Sequence, residues 1–433
     1  MDEVDRVEVV DRKWFVHFAS PLLALVLGFA AYSWVLNNGF ISDDLVFLDQ
    51  SRGLAFLPDH LRSAPWAFRL SADFWFAGLQ RLFGYHASWF YAFSIALHVL
   101  NALLLRSVLL GRGAERSVAT LASLLFIVIQ NPSEAVAWLS AVNELLVAFC
   151  VLLVLWAAQS SRYGVCLVLY AAALVSKESG AVAVPLVLLL LLSRTGKRQS
   201  PTKWFWIALG AMTAAYLAWF ASLANSNFLI QGHFYSFRPT AILVLGYSLH
   251  KLSFPWIYLA LVLGVPAVRR SAASGGRREL AATAAWLVLA LCPYIFLIYD
   301  THVPSRQLYL AAMPGCYLMA QLIWGLRNRR LRWAFVTAFA VVNIAYLWVA
   351  KDRQYVVRGR TVHDLVAVLR TQPPGCAVVS NFPENPWVAK LSARLTPGWS
   401  PEMIRVNEPL AGRADCVLLR WNPKQKRYER IDE

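Results

Sequence analysis

Long apolar runs separated by short charged connectors occupy most of the chain. The stretches 22–36, 118–129, 145–158, 181–192 and 282–299 are nearly free of charge. With their flanks, several reach about 17 to 25 residues, the length that carries a helix through roughly 30 Å of hydrocarbon. The pattern predicts an α-helical polytopic membrane protein with about 11 transmembrane helices. A charged cytoplasmic lead, 1–13, precedes a transmembrane domain over 14–350. The first span reads as a retained helix, because no small-x-small cleavage site stands before Asn37. A long first external loop, 37–86, is rich in Trp, Phe, Asp and Arg, which suits amphipathic helices lying on the membrane surface. The two spans that meet at 176–179 are short, so their charged turn is expected to dip into a protein-lined cavity. Beyond residue 350 the pattern changes. Helical periodicity over 360–369 is broken by Pro373-Pro374-Gly375, and short apolar runs at 376–380 and 416–419 read as strands around a helix near 386–395. Residues 351–433 are therefore expected to form a small C-terminal extracytoplasmic α/β domain.

Composition agrees with this division. The 433 residues are 58% hydrophobic and only 15% charged, too apolar for a soluble chain of this length. The 18 Trp and 16 Tyr, many near block ends, suit the bilayer interfaces. A formal charge of +16 raises the question of nucleic acid, but the basic residues sit mostly in connectors, which argues for a lipid bilayer partner and no nucleic acid. Alternate connectors carry Arg112 and Arg116, Arg162, the 194–203 group, the 269–278 group and the 327–332 group; those between carry only Lys177, Arg238 and Arg306. This bias places the N-terminus in the cytoplasm and, with an odd number of spans, the tail outside. The single Asn-x-Ser match, Asn131-Pro132-Ser133, is disqualified by its proline, which favours a bacterial inner membrane over a glycosylating compartment. Cys150, Cys166, Cys292 and Cys316 read as packing residues, whereas Cys376 and Cys416 fall in the exported domain, where a disulfide is open to them.

Ionisable groups at the ends of apolar runs are the functional candidates. Asp43-Asp44 follows the first span; it reads as a base, a metal ligand, or a solvated turn. Lys177-Glu178 stands at the short-span turn, either holding a phosphate and a polar substrate or capping the turn as an ion pair. Arg306 with Tyr309 suits phosphate recognition or an interfacial anchor. Glu134, Trp138 and Glu144 combine acids with an aromatic platform that suits a sugar, while Trp138 also reads as a membrane-belt residue. Arg69 lies in the first loop, and His98 inside the second span reads as a hydrogen-bonded packing residue.

In this order the sites resemble the multi-spanning GT-C glycosyltransferases. Asn38-Gly39-Phe40 leading to Asp43-Asp44 is similar to the family's first external loop. The rest resembles most closely the tetratricopeptide-bearing transmembrane O-mannosyltransferases and their bacterial relatives. Glu134-Ala135-Val136-Ala137-Trp138 with Glu144-Leu145-Leu146, then Ser176-Lys177-Glu178-Ser179-Gly180, then Ser305-Arg306-Gln307-Leu308-Tyr309-Leu310 each resemble a segment of that group. Ala67-Phe68-Arg69-Leu70 is similar to its "YRPL" segment without the proline, and Leu97-His98 to an "LH" pair. The resemblance covers about 37–320; Ala311-Ala312 stand where the group has "PS", and the tail lacks the repeats.

The resemblance implies a glycosyltransferase that takes its sugar from a polyprenyl phosphate and passes it, with inversion, to the hydroxyl of an acceptor protein, lipid or glycan. Asp44 or Asp43 would act as general base, with a divalent metal as an open addition at that pair. Arg306, Lys177 and Arg69 would bind the donor phosphate. Glu178, Glu134, Trp138, Glu144 and Tyr309 would contact substrate. Two other readings compete. A transporter or flippase for lipid-linked glycans requires charges deep in several helices; a non-catalytic cell-envelope assembly protein requires no acid at 43 or 44.

Overall fold

The computed structural model describes residues 21–52, 69–193, 200–223, 231–232, 234–235, 238–273, 276–297, 299, 301–408 and 416–431. The lead 1–13, the start of the first span and the middle of the first external loop lie outside them.

The described chain is mostly helical. In order come α1 (Pro21–Asn37), α2 (Asp43–Gln50), α3 (Leu70–Phe83), α4 (Ala87–Gly111), α5 (Arg116–Val128), α6 (Val142–Gln159) and α7 (Tyr163–Ser176). Then follow α8 (Ala183–Ser193), α9 (Lys203–Ser222), α10 (Ala241–Ser253), α11 (Trp256–Ala273), α12 (Gly276–Leu291), α13 (Tyr309–Trp324), α14 (Arg329–Tyr346) and α15 (Asp352–Arg370). Among the described residues, four helices are long and apolar enough to cross a membrane: Ala87–Gly111, Leu139–Gln159, Lys203–Ser222 and Arg329–Arg370. Shorter apolar helices include Arg116–Val128, Tyr163–Ser176 and Glu178–Ser193. The surface is inverted relative to a soluble protein. Leu217, Ile242, Val262 and Val341 are each more than half exposed, an apolar skin that lipid rather than water can cover. The chain is a helical membrane protein with a small C-terminal sheet domain.

The interior is knitted by buried polar side chains. His98 on α4 presents Nε2 to the Ile127 carbonyl of α5 at 3.0 Å and Nδ1 to the Tyr309 hydroxyl of α13 at 2.7 Å. Asn101, one turn on, donates to the Leu145 carbonyl of α6 and to the Tyr309 hydroxyl. One network thus fastens four helices, since each buried polar atom needs a partner. Tyr309, expected at a substrate, lies buried in this network and away from the cavity wall described below.

α7 and α8 are short because they meet at an apex rather than at the membrane surface. A helix of this length rises only about 20 Å, short of the hydrocarbon thickness. Lys177 is extended between them (φ −168°, ψ 149°), and Glu178–Val182 returns as a 3-10 turn. Gly180 is required there, because a Cβ would stand 2.4 Å from the Ala173 carbonyl oxygen.

α14 does not stop at the bilayer. A π turn, Leu347–Lys351, links it to α15, so that 42 residues, Arg329–Arg370, form one rod. At 1.5 Å per residue the rod is about 63 Å long, roughly twice the hydrocarbon thickness. Its far half carries the sheet domain. Strands β1 (Cys376–Ser380), β2 (Ile404–Val406), β3 (Cys416–Asn422) and β4 (Arg427–Arg430) form a sheet in the order β2-β1-β3-β4, parallel except for β3 with β4. The buried centre of β1, Ala377, Val378 and Val379, explains why the 376–380 run reads as a strand. Cys376 and Cys416 face each other in register and are joined by a disulfide. α16 (Pro386–Ser392) packs on both α15 and α2, fixing the domain to the membrane core.

Candidate active site

A cavity of about 480 Å³ opens at the level where α2, the apex of α7 and α8, and the loop before α13 converge. It is lined by Asp43, Phe47, Arg69, Trp138, Ser140, Asn143, Glu144, Lys177, Glu178, Phe234, Tyr235, Leu297, Tyr299, Arg306 and Gln307. This volume is within the range of small-molecule sites, and the wall combines aromatic rings with charge. A second hollow, about 560 Å³, touches Arg52, Phe74, Arg81 and Tyr85, with no carboxylate among the described residues of its wall.

The two adjacent acids differ sharply. Ser42, at φ 47° and ψ −113°, makes a turn that side chains rarely adopt, and it sends Asp43 and Asp44 in different directions. Asp44 is wholly buried. Its Oδ1 accepts from the Ser140 amide at 2.7 Å and the Ser140 hydroxyl at 2.5 Å, and its Oδ2 from the Ile41 amide at 2.9 Å. Burial pushes its carboxyl up to about 7 against the pull of those bonds. Asp44 therefore pins α2 to the turn at Leu139–Ala141. Asp43 lines the cavity. Burial raises its carboxyl above the usual range, while Arg306 and Arg358 pull it back. Among the described residues no group of three or more His, Cys, Asp or Glu could hold a metal.

The basic residues of the cavity are paired. Arg69 meets Glu178 in a two-pronged contact at 2.5 and 3.1 Å. Lys177, 5% exposed, closes on Glu144, 2% exposed, and lies 4.8 Å from the centre of the Tyr294 ring. Arg306 donates to Glu134 at 2.9 Å and sits 5.0 Å from the centre of the Trp138 ring. That ring, an expected sugar platform, is occupied by cations, because Arg358 lies 5.2 Å from the same centre. All the sequence candidates except Tyr309, Asp44 and Glu134 line the cavity, and Glu134 stands behind Arg306.

Further residues in or beside the cavity have weak sequence signals. Tyr299 accepts a hydrogen bond from Gln307 at 3.2 Å across the loop before α13. Glu384, from the sheet domain, lies with Asp43 within hydrogen-bonding reach of the Ser42 hydroxyl; burial raises its carboxyl as well. Arg358 and Glu384 belong to the tail, where nothing in the membrane-core motifs directs attention.

No protein-family model matches the chain, and no curated protein matches its sequence. Among solved structures, the chain is similar to the Archaeoglobus fulgidus oligosaccharyltransferase tethered with an acceptor peptide containing the NVT sequon, at 11% identity. The alignment covers 90% of this chain and 64% of that one, with a TM-score of 0.48. This chain thus spans less than two thirds of the length of that protein.

Proposed function

We propose that the protein is a membrane glycosyltransferase of the GT-C type, which moves a sugar from a polyprenyl-phosphate donor to an acceptor hydroxyl outside the cytoplasm. One observation carries the reading: a carboxylate of raised basicity, Asp43, shares a cavity with the guanidinium of Arg306. A displacement at a sugar carbon needs both, a base for the incoming hydroxyl and a cation for the departing phosphate.

Asp43 takes the proton of the acceptor hydroxyl as its oxygen bonds to the anomeric carbon. The bond from that carbon to the phosphate oxygen breaks, and the lipid phosphate leaves with the electron pair. Arg306 meets the charge that grows on it. A single displacement inverts the sugar carbon. Asp44 and Ser140 hold the base in position, while Lys177 and Arg69, neutralised by Glu144 and Glu178, shape the wall rather than supply free charge.

The extracytoplasmic placement is supported by the connector charges and by the Cys376–Cys416 disulfide, which belongs in an oxidising compartment. The bacterial inner membrane is the proposed location, with about 11 spans. Nucleotide sugars are cytoplasmic, so a site on the outer face takes a lipid-linked donor. The paired charges of the cavity, Arg69 with Glu178, Lys177 with Glu144 and Arg306 with Glu134, gather at one level of the bundle, which favours transfer over passage through it.

The test is sugar release from a panel of polyprenyl-phosphate sugars by purified protein in lipid, with Asp43→Asn and Arg306→Ala alongside. Turnover of one donor, lost in both variants, supports the reading and names the sugar. Turnover unchanged in Asp43→Asn overturns it.

A further inference from the structure

The water-facing domain sends cations back to the membrane. Arg358, on α15, reaches Glu134 Oε1 at 3.7 Å, the same oxygen that accepts Arg306 at 2.9 Å. Both guanidiniums lie against the Trp138 ring. Two further cations, Lys351 at the π turn and Lys251 at the end of α10, stand within electrostatic reach of Glu134. Lys251 is positioned by the Val303 carbonyl at 3.2 Å, and Lys351 by Gln354 at 3.1 Å. Three carboxylates, Glu134, Asp43 and Glu384, thus face four cations drawn from α10, the loop before α13, the π turn and α15, which leaves a positive excess.

That excess of positive charge favours a further anion. Convergent guanidiniums are suited to phosphate oxygens, which they bind with paired, charge-assisted hydrogen bonds. The Arg358 side chain is 41% exposed, so it can reach an incoming group without first being dug out of the protein. The neighbouring acid, Asp43, feels both arginines, which places the cluster beside the base.

We propose that Arg358 and Lys351, on the rod leading into the sheet domain, bind the phosphate of the lipid donor together with Arg306 and Lys251. The exported domain is then part of the donor site. This inference rests on the lipid-phosphate donor of the proposed function and adds residues that the membrane core does not contain.

The test is equilibrium binding of a long-chain polyprenyl phosphate to the full chain in neutral-lipid nanodiscs, against the uncharged polyprenol and inorganic phosphate. Wild type is expected to hold the phosphorylated lipid more tightly than either. Arg358→Ala is expected to weaken that binding about tenfold, the usual loss for one charge-assisted contact. Arg358→Lys should restore part of it, and Lys351→Gln should weaken it independently of any effect on domain folding, which is monitored by formation of the Cys376–Cys416 disulfide. In turnover, Arg358→Ala should raise KM more than it lowers kcat. Binding unchanged in both Arg358→Ala and Lys351→Gln overturns the inference, as does equal binding of polyprenol. Inorganic phosphate competing as strongly as the lipid overturns the lipid headgroup as the ligand. Binding that depends on Arg358 without turnover of any sugar donor would leave the inference standing and remove the transferase reading.

Discussion

Lys177 and Tyr294 hold opposite oxygens of one carboxylate, Glu144: the ammonium closes on Oε1, and the Tyr294 hydroxyl donates to Oε2 at 2.7 Å. The Tyr294 hydroxyl also lies 3.0 Å from Ser179 Oγ. The apex of α7 and α8 is thereby tied to the start of α6 through buried charge. Removing one member leaves the other charged and dry. Lys177→Met is expected to cost about 3–5 kcal/mol of stability, and Lys177→Met with Glu144→Gln distinctly less. Thermal unfolding of the three proteins in detergent checks this; a double variant as unstable as the single one would contradict it.

Asp43 and Asp44 should separate in experiment. Asp43→Asn is expected to abolish transfer with the melting temperature unchanged. Asp44→Asn turns an amide donor toward the Ile41 amide or the Ser140 donors, and should cost about 1–3 kcal/mol. A stable but inactive Asp44→Asn protein, beside an active Asp43→Asn one, would reverse the assignment.

The pH profile of kcat/KM should carry an acid limb set by Asp43. A base works when deprotonated, and burial raises this carboxyl, so activity should rise with pH through a midpoint above the ordinary carboxylate range. Arg306 and Arg358 pull the carboxyl down, so removing Arg358 should move the limb to higher pH. A limb moving to lower pH would exclude Asp43 as the titrating base.

The domain's docking can be loosened at a glycine. A Cβ on Gly39 would fall 1.8 Å from His363 Nε2, on α15, so the segment before Asp43 touches the rod without room for a methyl group. Gly39→Ala is expected to cost about 1–3 kcal/mol. Adding His363→Ala should recover much of it. Limited proteolysis and thermal unfolding read both variants.

The disulfide closes a loop between residues 40 apart in sequence. By loop-closure entropy, replacing Cys376 and Cys416 with Ala should cost the sheet domain about 4 kcal/mol. Chemical denaturation followed on the domain's own Trp399 and Trp421 would measure it.

Much of this architecture is legible in the chain, because lipid imposes a harsh rule on apolar length and connector charge. The short pair meeting at Lys177-Glu178 reads directly as an apex in a cavity, and the structure has it there. The strands at Cys376 and Cys416 are equally plain, being brief apolar runs in polar sequence. What the sequence conceals is direction. Asp43 and Asp44 are identical side chains in adjacent positions, and only the backbone turn at Ser42 decides which is sealed. Tyr309 follows Arg306 closely, yet the winding of α13 carries it round to His98. Arg358 is distant in sequence from every membrane motif, and only the continuity of the rod through the π turn brings it to Trp138.

That rod couples the cavity to the lipid around it. Arg358 lies about 10 Å past the π turn, so a tilt of about 10° in the helix below would carry its Cα sideways by about 2 Å. Helices tilt when the hydrocarbon is thinner than their apolar length. A bilayer thin enough to tilt the lower half of the rod is therefore expected to change the distance between Arg358 and Asp43, and a thicker one to restore it.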